Sequence, residues 1–186
     1  MRSVKKLVIT GLCVALGVLL PMAFHAIPKG GQIFLPMHIP VLICGLVCGW
    51  YCGLFCGILA PLLSFLLTGM PAAAVLPSTL CQMAVYGLVA GLMVQLIRTK
   101  SSYIDMLVAM LMAMITGRLV GGVLNALIFQ AGAYSWQLWV SGMLVTGLAG
   151  IAIQIVLVPV VAYSLEKAKL VSRDEPLFTK KNPEKN

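Results

Sequence analysis

From Leu7 to Ile97 the chain carries a single charged residue, Lys29. A soluble fold cannot be built on such a stretch, because its surface must meet water. A helix crossing the apolar core of a bilayer needs about 20 predominantly apolar residues, and several runs here approach or exceed that length. Over all 186 residues the chain is 61% hydrophobic and 10% charged, with a mean hydropathy of +1.03. A domain of this size could not hide so much apolar surface from water. The sequence therefore predicts an all-α integral membrane protein: one membrane domain over residues 1–165, followed by a polar tail over residues 166–186. The start, MRSVKKLVITGLCVALG, pairs a basic segment with an apolar one, as a signal peptide does. Phe24 and Ala26 do not make a small-x-small cleavage site, so the segment reads as a retained first helix.

Six helices follow from the pattern of apolar runs and breakers. Helix 1 is expected over Val4 to Phe24 and helix 2, a short one, over Met37 to Cys48. The segment Gly49 to Gly53 reads as a tight turn, after which helix 3 runs to Leu67. Helix 4 is expected over Ser78 to Ile97, helix 5 over Tyr103 to Gln130 and helix 6 over Ser135 to Leu165. The Gly- and Pro-rich loop His25 to Pro36 is expected to be non-helical, as is the loop Thr68 to Pro77.

The net charge of +8 is not spread as a nucleic-acid-binding surface would be. With both termini inside, Arg2, Lys5, Lys6, Arg98, Lys100 and every Lys and Arg of the tail lie on one side. Only Lys29 falls on the other, and Arg118 falls within the membrane. Lysine and arginine concentrate on the cytoplasmic side of membrane proteins, so six helices with both termini cytoplasmic is the expected topology.

That topology gives each polar residue a depth. His38, Ser64, Thr68, Gln82, Asn125, Gln130, Trp136, Gln137 and Trp139 fall toward the outer face, with Tyr86 one turn below Gln82 and Arg118 near mid-membrane. Gln95, Asp105 and Gln154 fall toward the inner one. Polar groups are costly in hydrocarbon and turn toward a bundle interior or a wet cavity. The asymmetry predicts a site open to the outside. Arg118 and Asn125 are seven residues apart and share a helix face, with Gly121 and Gly122 as a notch between them. Gln82 and Tyr86, four apart, share another. Asp105 lies about three and a half turns from Arg118, too far to meet it. A guanidinium presents a fork of donors suited to a carboxylate. The residues expected to bind a solute are Arg118, Asn125, Gln82, Tyr86, His38, Thr68 and Trp136. The structural alternative is that Arg118 satisfies helix-end carbonyls and that the two glycines only let a neighbouring helix approach.

The segment CGLVCGWYCGLFCG sets Cys44, Cys48, Cys52 and Cys56 four residues apart, each followed by glycine. The spacing resembles no four-ligand metal site, and the turn at Gly49 to Gly53 would split the ladder. The ladder has no carboxylate or second histidine beside it, and its glycines repeat the small-x-x-x-small spacing of close helix packing. It reads as a packing device, with no metal and no cofactor. The phosphate-binding loop G-x-x-x-x-G-K-[ST], H-E-x-x-H and G-x-S-x-G are all missing, which points away from an ATPase and from an enzyme of those kinds.

The segment LPMHIPVLICGLVCGWYCGLFCGILAPLLSFLLTGMP, Leu35 to Pro71, carries a short helix, a glycine-flanked turn and a T-G-M-P loop. With the six-helix plan over Val4 to Leu165, it resembles the substrate-binding S components of bacterial energy-coupling factor (ECF) vitamin transporters. The resemblance implies a cell-membrane protein that captures a vitamin-like solute. A transmembrane coupling protein and two ATPase subunits would supply the energy, in keeping with the missing phosphate loop. It also implies a small-residue docking face on helix 1, here Gly11 and Ala15, where Gly replaces the first Ala of the usual pattern. Arg118 favours an acid such as pantothenate among the substrates of that family. The alternative functions are a membrane scaffold of the cell-envelope machinery and an intramembrane enzyme using cysteine or histidine.

Overall fold

The computed structural model describes residues 2–24, 30–129, 137, 140–141 and 147–168. Among the described residues every regular element is helical. They are α1 (Arg2–Ala23), α2 (Gly30–Phe34), α3 (His38–Cys48), α4 (Trp50–Thr68), α5 (Leu76–Leu96), α6 (Ser102–Leu124) with a π-helical continuation Asn125–Phe129, and α7 (Leu148–Lys167). Five of them, α1, α4, α5, α6 with its continuation, and α7, are long and apolar enough to cross a membrane. Of the other two, α2 has 5 residues and α3 has 11. Helix α3 is the longer apolar one. At 1.5 Å per residue it reaches about 16 Å, roughly half the hydrocarbon thickness.

The distribution of side chains is that of a protein whose solvent is lipid. Leu7, Leu66, Leu67 and Leu127 are each at least 67% exposed, whereas Gln82, Asp105, Arg118, Asn125 and Gln154 are buried. Apolar surface costs nothing against acyl chains, and polar groups must find partners inside. Proline occurs within α1 (Pro21), α4 (Pro61) and α7 (Pro159).

Helix α5 is the hub, packing on α3, α4 and α6. Helix α1 lies on α3 and α4, and α7 lies on α3 and α6. Glycine sets the distances. A Cβ on Gly45 would stand 2.5 Å from the Gly87 carbonyl oxygen, and Cβ atoms on Gly53 and Gly57 would collide with the Gly87 and Met83 carbonyls. The glycines of the cysteine ladder therefore let the backbones of α3 and α4 meet α5 directly, as small residues do in membrane bundles. The thiols point to other neighbours. Cys44 is fully buried, with its Sγ 3.7 Å from Thr10 Oγ1 on α1, and Cys48 and Cys56 are buried beside it in the core. No disulfide joins any of the six cysteines.

The break between helices 2 and 3 is sharper than the expected turn over Gly49 to Gly53. It is one residue, Gly49, at φ 96° and ψ 173°. Only glycine adopts that conformation without strain, and α4 starts at the next residue. The loop between α1 and α3 departs from expectation. Residues Gly30–Phe34 are helical, although glycine-rich sequence reads as non-helical. Packing overrides propensity here. The Phe34 carbonyl lies against Gly150 of α7, where a Cβ would stand 2.6 Å from it, and Gln154 Nε2 donates to the Leu35 carbonyl at 3.3 Å. Gln154 thus sits with this loop and not with Gln95 and Asp105, where its count from Ser135 would put it. The reason is the start of α7 at Leu148, which leaves Gln154 in its second turn.

Candidate functional site

The polar side chains of α3, α5 and α6 converge at the His38 end of the bundle. His38 begins α3, is 9% exposed, and sets its ring 5.1 Å from that of Tyr86 on α5. Tyr86 is fully buried, and its hydroxyl accepts a hydrogen bond from Gln82 Nε2 at 3.0 Å, one turn earlier. Across from them runs the glycine face of α6. A Cβ on Gly117 would stand 2.5 Å from the Tyr86 ring, and one on Gly121 would stand 3.3 Å from the Gln82 side chain. Arg118, 7% exposed, projects from this part of α6, and its charge acts on both His38 and Tyr86.

Asn125 continues the face one turn beyond Gly121. It is 6% exposed, and its backbone N–H closes α6 onto the Gly121 and Gly122 carbonyls. The helix changes from α to π at this residue. Such a change widens the turn and recurs at functional positions. The side-chain Oδ1 of Asn125 is buried with no hydrogen-bond partner, as is Nδ1 of His38.

The structure thus gathers His38, Gln82, Tyr86 and Arg118, with Asn125 extending the same stripe. It treats the glycines differently from the sequence expectation. The Arg118–Asn125 notch receives the Gln82 amide, so the glycines admit side chains of α5 as well as permitting close approach. Thr68 is engaged locally. Its hydroxyl donates to the Ser64 carbonyl at 2.6 Å and accepts from the Met70 N–H at 3.3 Å, closing the end of α4. Trp136 lies outside the described residues. Two contributors escaped the sequence reading. Gly117 receives the Tyr86 ring, and its spacing of four from Gly121 was the available signal. Gln154 holds the loop leading into His38, and nothing local announces that contact.

The remaining expected surface lies elsewhere. Gly11 and Ala15 are exposed on α1, among Leu7, Leu12 and Leu19, and nothing stands within 4 Å of a Cβ placed on Gly11. A groove of about 530 Å³ runs beside that face, lined by apolar residues of α1, α3 and α7 and by Lys5. None of the polar cluster lines it. At the opposite end of α6 the Asp105 carboxylate accepts from the Thr99 N–H at 2.8 Å and from its hydroxyl at 2.7 Å. Asp105 is therefore committed to the α5–α6 turn, in line with its expected distance from Arg118. Among the described residues no group of three or more His, Cys, Asp or Glu is placed to hold a metal ion.

Five membrane-length helices, with a buried polar cluster among α3, α5 and α6, define a multi-pass membrane protein. The family model for the ECF transporter substrate-specific component matches residues 5–162. The chain belongs to that family, and is thus a transporter subunit of the substrate-binding type. Searches of curated proteins and of solved structures found no match.

Proposed function

We propose that the chain captures an anionic, vitamin-sized solute at the cluster of His38, Gln82, Tyr86, Arg118 and Asn125, for an ATP-driven importer. Pantothenate is the solute of that class named by the sequence reading. A transmembrane coupling protein and two ATPases are the proposed partners, with the exposed Gly11 and Ala15 face of α1 as the docking surface. The basic residues at the chain's ends support cytoplasmic termini, in a bacterial cell membrane.

The observation that carries the reading is a buried guanidinium grouped with two aromatic rings and two amides, in a chain of a substrate-capturing family. Charged side chains within membrane proteins mark substrate and ion pathways. The scaffold alternative puts a protein partner on the polar face, yet that face is buried inside the bundle, where a protein surface cannot reach it. The test is mass spectrometry of small molecules retained by the purified chain, with ATP-dependent uptake measured in cells that express it with and without a coupling module. A retained organic acid whose uptake needs the chain supports the reading. Absence of any bound or transported solute refutes it.

A further inference from the structure

The groove beside α1 lies apart from the polar cluster and has a chemistry of its own. Helices α1 and α7 both lie on α3, and the groove of about 530 Å³ is lined by all three. Every fourth residue of α1 from Val4 to Leu20 lines one wall, a stripe about 24 Å long at 1.5 Å per residue. Ile43 of α3 is half-buried in the trench, and Val161 and Leu165 of α7 line the other wall. The two walls run antiparallel. The Phe34 ring lies 5.1 Å from that of Phe24, just past the end of α1, and the Phe34 carbonyl faces Gly150 near the start of α7. The last turn of α7, with Leu165 and the exposed Lys167, therefore lies at the Val4 end of α1.

The charged residue of the lining, Lys5, stands exposed at that same end. Both acids among the described residues are engaged elsewhere. Glu166 Oε1 accepts from the Ser102 hydroxyl of α6 at 3.4 Å, and Asp105 is bonded to Thr99. Apart from Lys5 the lining offers apolar side chains and the Cys13 thiol, a weak donor. The trench is thus apolar along its length and cationic at its mouth. Its volume is in the range of small-molecule sites, about 300–1,000 Å³.

We infer that this groove binds one phospholipid with an anionic headgroup, an acyl chain lying along the α1 stripe and the phosphate at Lys5. The charge favours lipid over a partner helix. A lysine where a membrane helix meets its surface attracts anionic headgroups, and the apolar trench leading away from it gives the chain a bed. The lipid would bridge α1 and α7, which are held together through α3, and so stabilise the bundle. The inference is independent of the solute-capture reading.

The test is native mass spectrometry and thermal melting of the purified full chain in detergent, titrated with phosphatidylglycerol or with phosphatidylcholine of the same acyl chains. Phosphatidylglycerol should bind about fivefold more tightly, the scale of one lysine at an anionic surface, and raise the melting temperature more. Lys5→Gln keeps the trench and removes the charge at an exposed position, so the two lipids should then bind alike. Ile43→Phe narrows the trench and keeps the charge, so both lipids should bind more weakly. Lys100→Gln removes a lysine of the α5–α6 turn, outside the groove, and should change neither. Equal binding of the two lipids by the parent overturns the inference, as does a preference that survives Lys5→Gln. An equal loss in Lys100→Gln would assign the preference to diffuse surface charge and also overturn it. Retention of neither lipid, with Ile43→Phe changing only co-purification with the coupling protein, would give the groove to a partner helix instead.

Discussion

Gly117 and Gly121 are one turn apart on the same face of α6, yet the structure gives them different neighbours and so different tolerances. In Gly117→Ala the new methyl would stand 2.5 Å from two carbons of the Tyr86 ring. That ring is fully buried between His38 and α6, so it cannot simply swing away. Overpacking of this kind costs about 1–3 kcal/mol, against a gain of about 1 kcal/mol from replacing glycine in a helix. The net loss is therefore up to about 2 kcal/mol. In Gly121→Ala the methyl would stand 3.3 Å from the end of the Gln82 side chain, which can move by a few tenths of an ångström. The helical gain and the small contact penalty should nearly cancel. At about 2–4 °C per kcal/mol for a chain of this length, Gly117→Ala should melt up to roughly 4–8 °C lower and Gly121→Ala within about 2 °C of the parent. Detergent-solubilised protein followed by tryptophan fluorescence or thermal-shift dye reads both. Solute affinity should fall for Gly117→Ala, because Tyr86 and His38 move together. A Gly117→Ala chain as stable as the parent and as tight for its solute would mean that Tyr86 does not rest on α6, and the site as described would be wrong.

Two further outcomes separate the surfaces of the protein. Gly11→Trp or Ala15→Trp should abolish transport and co-purification with the ATPases while leaving equilibrium solute binding within about twofold, since bulk on an exposed helix face keeps a partner helix away. Trp variants that transport at the parental rate would remove α1 from the docking role, and variants that lose solute binding but still co-purify would show the two surfaces to have been exchanged. Changing Cys44, Cys48, Cys52 and Cys56 together to Ala should leave uptake largely intact, and metal analysis of the parent should find no stoichiometric iron or zinc. A metal near one per chain that disappears in the quadruple variant would contradict the packing role.

Much of this architecture was legible in the sequence because lipid imposes a simple rule. Runs of apolar residues had to be helices, and the basic residues at their ends set the expected topology. The α3–α4 break was legible as a turn over Gly49 to Gly53, and only the backbone angle of Gly49 confines it to one residue. What the sequence could not supply depended on contacts across helices. The helical turn Gly30–Phe34 exists against Gly150 of α7, 116 residues after Phe34 (150 − 34). Gln154 could not be placed at the His38 end until the start of α7 was fixed. Within the site, the 3.6-residue period paired Gln82 with Tyr86 and Arg118 with Asn125. That α5 sets its pair into the glycine face of α6 is a matter of helix rotation, which spacing alone does not determine. Thr68 shows the opposite case, where a depth assignment was not enough. A hydroxyl can satisfy itself on its own helix four residues back, and Thr68 does so.

The central claim is that Arg118 holds the anionic end of the solute, and a Kd for Arg118→Met tests it most directly. Methionine keeps much of the bulk and removes the charge and the donor fork, and Arg118→Lys alongside it keeps the charge alone. A charged hydrogen bond is worth about 1.5–3 kcal/mol, so the Kd of the acid that the parent binds should rise by roughly 10- to 150-fold in Arg118→Met. The Lys variant should fall between the two, with the melting temperature of the ligand-free chain recorded for each. An Arg118→Met protein that binds that acid within twofold of the parent would contradict the account.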